Sequence, residues 1–468
     1  MSSLELVNKS MILEKNYSNS LNLTLDAIEV GLKSVNPVRL MKKSVKLNNS
    51  NLSIFSHNGE KLVLDYPSFN SIYLIGAGKA TASMSDALIK ILGTNKIKEG
   101  CITVPYGIKL KNNLCEITYA SHPIPDSNGV LGTKKILTLL EKITKNDLLV
   151  VLLSGGASAL MPLPLDIITL SEKQNLTMRL LSSGATIDEL NTVRKHLSKI
   201  KGGGLANIIN KKFPVLTLIL SDVVEDKIDV IASGPTVPDS TTFEDTKKIL
   251  VKYKLWSNQK LISKRLRLFI NSAVSGKIKD TPKPGNSVFT NIHNVIIGNN
   301  NIACKNIKLF LERKGIKTMY LGSRFTGKST SAGGFLFRLV QDFPAISTPY
   351  AFVLGGETTV ALENKINGRG GRNQEAVLSA ASHFEHLDNE MDFSIASFGT
   401  DGIDGNSLAA GAIINPKILL RIRRKKLKIT KYLNTHDSNT LFDKVSAALY
   451  TKITGTNVND VSIVCRLR

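Results

Sequence analysis

The chain is poor in several things, and each scarcity excludes something. Four cysteines occur in 468 residues, and Cys101, Cys115, Cys304 and Cys465 stand far apart. Their spacing makes no zinc or redox motif, so they read as reduced thiols. Long hydrophobic runs are missing. The longest candidate, Leu148 to Leu153, stops at Ser154-Gly155-Gly156, far short of the roughly 18 apolar residues a membrane helix needs. The N-terminus carries Glu5 and Glu14 and no apolar signal region. Neither a secretory signal nor an Arg-rich transit peptide is read there, and the expected location is cytoplasmic with no membrane partner. Aromatics make up only 6% of the chain.

Basic charge, in contrast, is plentiful. Lys and Arg number 61 against 38 Asp and Glu, a net +23. Such a balance suits an anionic partner such as nucleic acid, a membrane surface or a phosphate-bearing substrate. It also suits a surface merely decorated with lysine. One dense block runs from Lys417 to Lys431 and includes Arg421, Arg423, Arg424, Lys425, Lys426 and Lys428. Nucleic-acid binding usually adds stacking aromatics or a recognisable module. Neither is present, so the block reads as a solvated face and nucleic acid is not an expected partner.

One local unit repeats along the chain. An apolar run rich in Ile, Val and Leu precedes a loop of Gly, Ser, Asp or Thr, often with a helix-like stretch after it. Ile72-Tyr73-Leu74-Ile75 precedes Gly76-Ala77-Gly78-Lys79, and Leu148 to Leu153 precedes Ser154-Gly155-Gly156. Leu216 to Leu220 precedes Ser221-Asp222, Ala351 to Leu354 precedes Gly355-Gly356-Glu357, and Phe393 to Phe398 precedes Gly399-Thr400-Asp401-Gly402. The runs do not alternate polar and apolar, which predicts strands buried on both faces. The fold class is therefore α/β, with mostly parallel sheets covered by helices. Ligands in such sheets bind beyond the strand C-termini, where these loops lie. The polar stretch Lys277 to Ser287, with Pro282 and Pro284, reads as a linker. The expected parts are a frayed segment 1–18, a domain at 19–280 and a domain at 286–468.

The loops offer what phosphoryl transfer requires: cations or amides for phosphates, carboxylates for Mg²⁺, and a group to orient a hydroxyl. Gly76-Ala77-Gly78-Lys79 suits an anion at a helix N-terminus, with Lys79 as a cation. It also resembles part of a dinucleotide fingerprint, but Thr81 stands where the third glycine belongs. Arg194, Lys195 and Lys199 would form one charged helix surface, able to hold phosphate or carboxylate or simply to face water. Asp222 could accept a hydroxyl proton, bind Mg²⁺ or cap a helix. Arg372, within Gly368 to Glu375, can grip an oxyanion bidentately. Asp401 and Asp404 make a candidate Mg²⁺ pair, although paired Asp-Gly turns also occur without a ligand. Gly322 to Ser329 matches the P-loop pattern G-x-x-x-x-G-K-[ST] to the letter.

Taken together, the sequence resembles the class II glycerate kinases, the glycerate 2-kinases with a C-terminal MOFRL domain. The resemblance is carried by Gly-Ala-Gly-Lys-Ala at 76–80, His-Pro-Ile-Pro-Asp at 122–126, Ser-Gly-Gly-Ala-Ser-Ala-Leu at 154–160 and Val-Arg-Lys-His-Leu-Ser at 193–198. Ile-Ala-Ser-Gly-Pro-Thr-Val-Pro-Asp at 231–239, Gly-Gly-Glu-Thr-Thr at 355–359, Gly-Gly-Arg-Asn-Gln-Glu at 370–375 and Gly-Thr-Asp-Gly-Ile-Asp-Gly at 399–405 complete it. It implies ATP- and Mg²⁺-dependent phosphorylation of D-glycerate at the 2-hydroxyl, giving 2-phosphoglycerate, in a cleft between two three-layer α/β/α domains; homodimer formation stays open. The catalytic residues it implies are Lys79, Asp222 and Arg372. Gly76, Gly78, Ser154, Gly155, Gly156, Arg194, Asn373 and Glu375 would bind substrate or phosphate, and Asp401 or Asp404 would hold the metal. The family reads Gly-Glu-Ala around Gly327, which makes the P-loop match an accident of substitution. Other departures fall at Gly204 (Arg in the family), Glu225 (Gly), Lys227 (Pro), Leu408 (Asp) and Lys452-Ile453. They leave two alternatives: a hydroxypyruvate reductase, or a catalytically weakened anion- or nucleic-acid-binding paralogue.

Overall fold

The structure, a computed structural model, describes residues 4–108, 111–341, 347–361, 368–384 and 390–468. Two compact units form, one of residues 41–297 and one of residues 298–468 together with 1–40.

In the unit 41–297 a small antiparallel sheet holds β1 (Val45–Leu47), β2 (Asn51–Phe55) and β3 (Lys61–Asp65). The main sheet has six strands: β4 (Ile72–Ala77), β5 (Ile97–Pro105), β6 (Cys115–Ala120), β7 (Leu148–Leu153), β8 (Val215–Leu220) and β9 (Ile292–Gly298). Their order is β6-β5-β4-β7-β8-β9, and β4 pairs in parallel with both β5 and β7. Every residue of β4, β7 and β8 is buried, which is why their sequences lack alternation.

The second sheet contains β10 (Lys317–Tyr320), β11 (Phe325–Lys328), β12 (Tyr350–Thr359), β13 (Phe393–Gly399), β14 (Gly411–Ile414), β15 (Ala448–Leu449) and β16 (Asp460–Arg466). The expectation of mostly parallel pairing fails for this sheet. β12 pairs in parallel with β10 and β11, but β16 runs antiparallel between β12 and β13, and β13–β14 and β14–β15 are antiparallel too. An apolar run buried on both faces carries no record of its direction.

Two further expectations about organisation are corrected. The segment expected to fray contains a helix, Lys9–Asn16, with Ile12 fully buried. Its polar residues are spent on the C-terminal chain: the Asn8 amide donates to Ala448 O at 2.8 Å and Asn16 donates to Ser446 O at 3.1 Å. Residues 277–287 are not a linker either. Asp280 accepts from His196 Nε2 at 2.9 Å and from the Phe243 amide at 3.1 Å, and Pro282 O accepts the Asp239 amide. The chain then continues into β9 of the same sheet. All four cysteines are free and buried, and burial pushes the Cys115 thiol up to about 12. Among the described residues no helix is long and apolar enough to cross a membrane.

Candidate active site

Strand order reverses between β4 and β7: the chain leaves β4 towards β5 and β6, then returns to β7 and grows the other way. Loops at such a switch point splay apart and leave a crevice at the strand C-termini. Lys79 follows β4 and Ser154 follows β7, while Asp222 follows the adjacent β8, so all three lie along one sheet edge.

The glycines of the Lys79 loop are there for packing. A Cβ at Gly76 would stand 2.3 Å from Leu152 O, and one at Gly78 would stand 2.1 Å from Ser154 Oγ. The Gly78 amide donates to Thr103 O and the Lys79 amide to Gly155 O. The Ala80 amide donates to Ser154 Oγ at 3.0 Å. The amides expected to cradle an anion at this turn are therefore already taken, by Thr103 and by the Ser154-Gly155 loop. The chemical group this turn presents is the half-buried Lys79 side chain.

Beside this edge lies a cavity of about 360 Å³, lined by His122, Gly156, Ser158, Lys173, Arg194 and Lys201 among others. Lys173 and Lys201 are 8% and 3% exposed. Lys173 Nζ donates to Arg194 O at 3.2 Å and Leu197 O at 2.7 Å. Lys201 Nζ donates to Ser158 O at 2.6 Å. Burial, then the nearby Arg194, lowers the Lys173 ammonium to about 7. Burial followed by repulsion from Lys173 and Arg194 holds Lys201 well below its ordinary value. The expected single surface of Arg194, Lys195 and Lys199 does not form. Lys195 turns inward to Asp229 at 3.0 Å and Asp239 at 3.4 Å, Lys199 pairs with Asp166 at 2.7 Å, and Arg194 lines the cavity. Lys173 and Lys201 were missed by sequence reasoning. Lys173 had left a signal: it shares the buried stripe of the Leu170–Ser182 helix with Leu176 and Leu180, a charge where an apolar residue is due.

Just past Asp222 the backbone is strained. Glu225 and Asp226 have φ of 68° and 55°, the left-handed region that costs L-residues roughly 1–2 kcal/mol. Glu225 is where the resembling family carries Gly. The substitution Glu225→Gly is expected to stabilise the protein by about 1 kcal/mol, read as a higher urea midpoint at unchanged slope; a lower midpoint would mean the conformation is not strained.

In the other unit, Arg372 opens the Arg372–Ser382 helix. Its Nε and Nη2 reach both carboxylate oxygens of Asp460 at 2.5 and 3.0 Å, and Nη1 lies 3.1 Å from Glu357 Oε1. Burial works against the guanidinium charge, but the Asp460 and Glu357 carboxylates outweigh it and hold its pKa well above the ordinary arginine value. Arg372, Glu357 and Gly371 line a cavity of about 420 Å³.

Several expected ligands here prove to be scaffold. Asp404 Oδ1 accepts from the Asn373 amide at 3.1 Å and Oδ2 from the Gln374 amide at 2.8 Å. The Asn373 and Gln374 side chains donate to the same two oxygens. A carboxylate so occupied anchors a helix N-terminus and does not fit an open Mg²⁺ ligand. Asp401 Oδ1 accepts the Ile403 amide at 3.2 Å, and among the described residues no group of three His, Cys, Asp or Glu could hold a metal ion. Asn373 is 1% exposed and accepts from Ser397 Oγ at 2.6 Å. Glu375 is 4% exposed and accepts from Ser329 and His436, each at 2.7 Å. Both residues thus spend polar atoms on hydrogen bonds inside the protein, and Glu375 also lines the 420 Å³ cavity beside Arg372.

The P-loop look-alike is a strand. Phe325–Lys328 forms β11 in parallel register with Gly356–Thr359, so its amides do not converge on a phosphate. The basic block forms the helices Pro416–Arg424 and Ile429–Asn434. Some of its cations cap carbonyls: Arg423 donates to Phe384 O at 2.5 Å and Lys425 to Lys444 O at 2.7 Å.

Residues 23–267 match a domain of unknown function, DUF4147, and residues 350–460 match the MOFRL family. A glycerate 2-kinase of Pyrococcus horikoshii is 36% identical over 452 residues, which cover 94% of this chain and 98% of that protein. The chain belongs to the glycerate kinase family. A D-glycerate 2-kinase of Thermotoga maritima is also 36% identical, over 91% of this chain and 96% of its own length. The crystal structure of a Thermotoga maritima glycerate kinase superposes with a TM-score of 0.78 at 34% identity, covering 95% of this chain and 98% of that one. The DUF4147 segment begins at residue 23, so it includes most of the helix Asn19–Ser34, which folds into the unit of residues 298–468.

Proposed function

We propose that this chain is an ATP-dependent kinase that phosphorylates D-glycerate at its 2-hydroxyl to give 2-phosphoglycerate. The observation that carries this reading is the alignment of Lys79, Ser154 and Asp222 along one sheet edge at the switch point, in a chain that matches a glycerate 2-kinase over 94% of its length. Asp222 orients the 2-hydroxyl and takes its proton. The hydroxyl oxygen forms a bond to the γ-phosphorus as the β–γ bridging bond breaks, and ADP leaves with the bond's electrons. Lys79 neutralises charge on the transferred phosphoryl group. Arg372, oriented by Asp460 and Glu357, is assigned as a further catalytic cation. No protein-built Mg²⁺ site enters this mechanism; the metal comes with the nucleotide, since Mg²⁺ usually keeps several waters and binds mainly through substrate phosphates. A cytoplasmic location goes with this reading.

The assay supplies ATP, Mg²⁺ and D-glycerate, with enolase reporting 2-phosphoglycerate. Turnover with enolase alone as coupling enzyme is expected. Turnover that appears only when a phosphoglycerate mutase is added would move the phosphorylation to the 3-hydroxyl. Oxidation of NADH with hydroxypyruvate in place of ATP turnover would replace the kinase by a reductase.

A further inference from the structure

The cavity between the His122–Pro125 turn and the Leu170–Ser182 and Ile187–His196 helices carries three cations and no anion. Among the described residues no carboxylate pairs with Lys173, Arg194 or Lys201. Each lysine has carbonyl partners, but a carbonyl cancels no charge. Like charges brought together out of water destabilise a fold, and such arrangements persist where a ligand supplies the missing charge. Arg194 is the most telling member. It sits in the last turn of its helix with Lys195 and His196, and both of those neighbours find carboxylates while its own guanidinium faces the cavity. Much of the rest of the lining is apolar, with Ile124, Leu170, Met178 and Leu181 beside Gln174 and Thr177, so the ligand joins an anionic end to a carbon body. At about 360 Å³ the cavity is of a size that holds ligands larger than a three-carbon acid.

We infer that Lys173, Arg194 and Lys201 form an oxyanion site that holds a carboxylate or phosphate of a bound substrate. Only the naming of that substrate rests on the kinase reading: the oxyanion is either the carboxylate of glycerate or a phosphate of the nucleotide. Ser158, already bonded to Lys201 Nζ, adds a hydroxyl within the same lining. Burial holds the Lys173 ammonium near 7, and an anion bound beside it favours its charged form. The groups facing it are Arg194 and Lys201, with His122 across the cavity.

The test is calorimetric titration of the full chain with D-glycerate and, separately, with a non-hydrolysable ATP analogue, neither of which requires turnover. The substitution Arg194→Met is expected to weaken one of the two ligands by about 10- to 100-fold, and Arg194→Lys to recover part of the loss. The melting temperature should stay within about 2 °C, because the guanidinium holds nothing else in place. Loss of glycerate affinity names the acceptor carboxylate; loss of analogue affinity names the nucleotide phosphate. Unchanged affinity for both ligands in Arg194→Met and in Lys201→Met would overturn the site. An enzyme that fails the kinase assay yet loses anion binding in these variants would keep the site and lose the kinase reading.

Discussion

The substitution Lys79→Ala is expected to lower kcat for glycerate phosphorylation by about 100- to 1,000-fold, the usual consequence of removing one charge-stabilising group from a transition state. The physical case is sharper than a glycine-rich motif could make it. The amides of Gly78, Lys79 and Ala80 are spent on Thr103, Gly155 and Ser154. Whatever this turn contributes to an anion comes from the lysine side chain, and truncating it leaves the backbone interlock untouched. The control is Lys328→Ala, in the strand that imitates a P-loop, which should leave kcat unchanged. Near-normal kcat for Lys79→Ala, or loss of activity in the control, would overturn the assignment.

Arg372→Met is expected to cost unit 298–468 about 3–5 kcal/mol, because it leaves Asp460 buried without its bidentate partner. Urea unfolding measures this, and the double variant Arg372→Met/Asp460→Asn should recover much of the loss. The pH dependence has a definite sign. Burial pushes the Asp460 carboxyl up and Arg372 opposes it, so removing the guanidinium raises the folded pKa further. A carboxyl raised above its unfolded value of about 3.9 favours the fold at low pH and loses that contribution as pH rises through the folded value. The variant should thus lie closer to the parent protein at pH 5 than at pH 8. Equal destabilisation at both values would mean that Asp460 is not the group left stranded. Activity measured well below the variant's melting temperature then separates a catalytic loss from a structural one.

Both cases show how much of the site could be read early. Position along the chain was legible, because a loop that follows an unalternating apolar run lies at a strand end whatever the neighbours do. Lys79 and Asp222 were singled out as candidates this way, and Arg372 by the glycine-rich stretch that precedes it. The role of each polar atom was not legible. Asp401 and Asp404 look alike in the sequence, yet Asp404 is consumed by four N–H donors from residues 373 and 374. Arg194 and Lys195 are adjacent, yet one faces a cavity and the other a buried carboxylate. Hydrogen-bond partners come from other segments, so residue type cannot reveal which donors are already spent.

By itself the sequence determined the α/β class, which loops lie at strand ends, the reduced state of four scattered cysteines and the family. These follow from local pattern: burial on both faces erases alternation, and glycine marks where segments must approach closely. Tertiary structure alone decided the rest. It joined residues 1–40 to the C-terminal unit, because Asn8 and Asn16 find carbonyls there. It set β16 antiparallel at the centre of its sheet, a direction the apolar run does not encode. It gathered Lys173 and Lys201, 28 residues apart in the chain, around one cavity with Arg194, because electrostatic repulsion and ligand complementarity act through space rather than along the sequence.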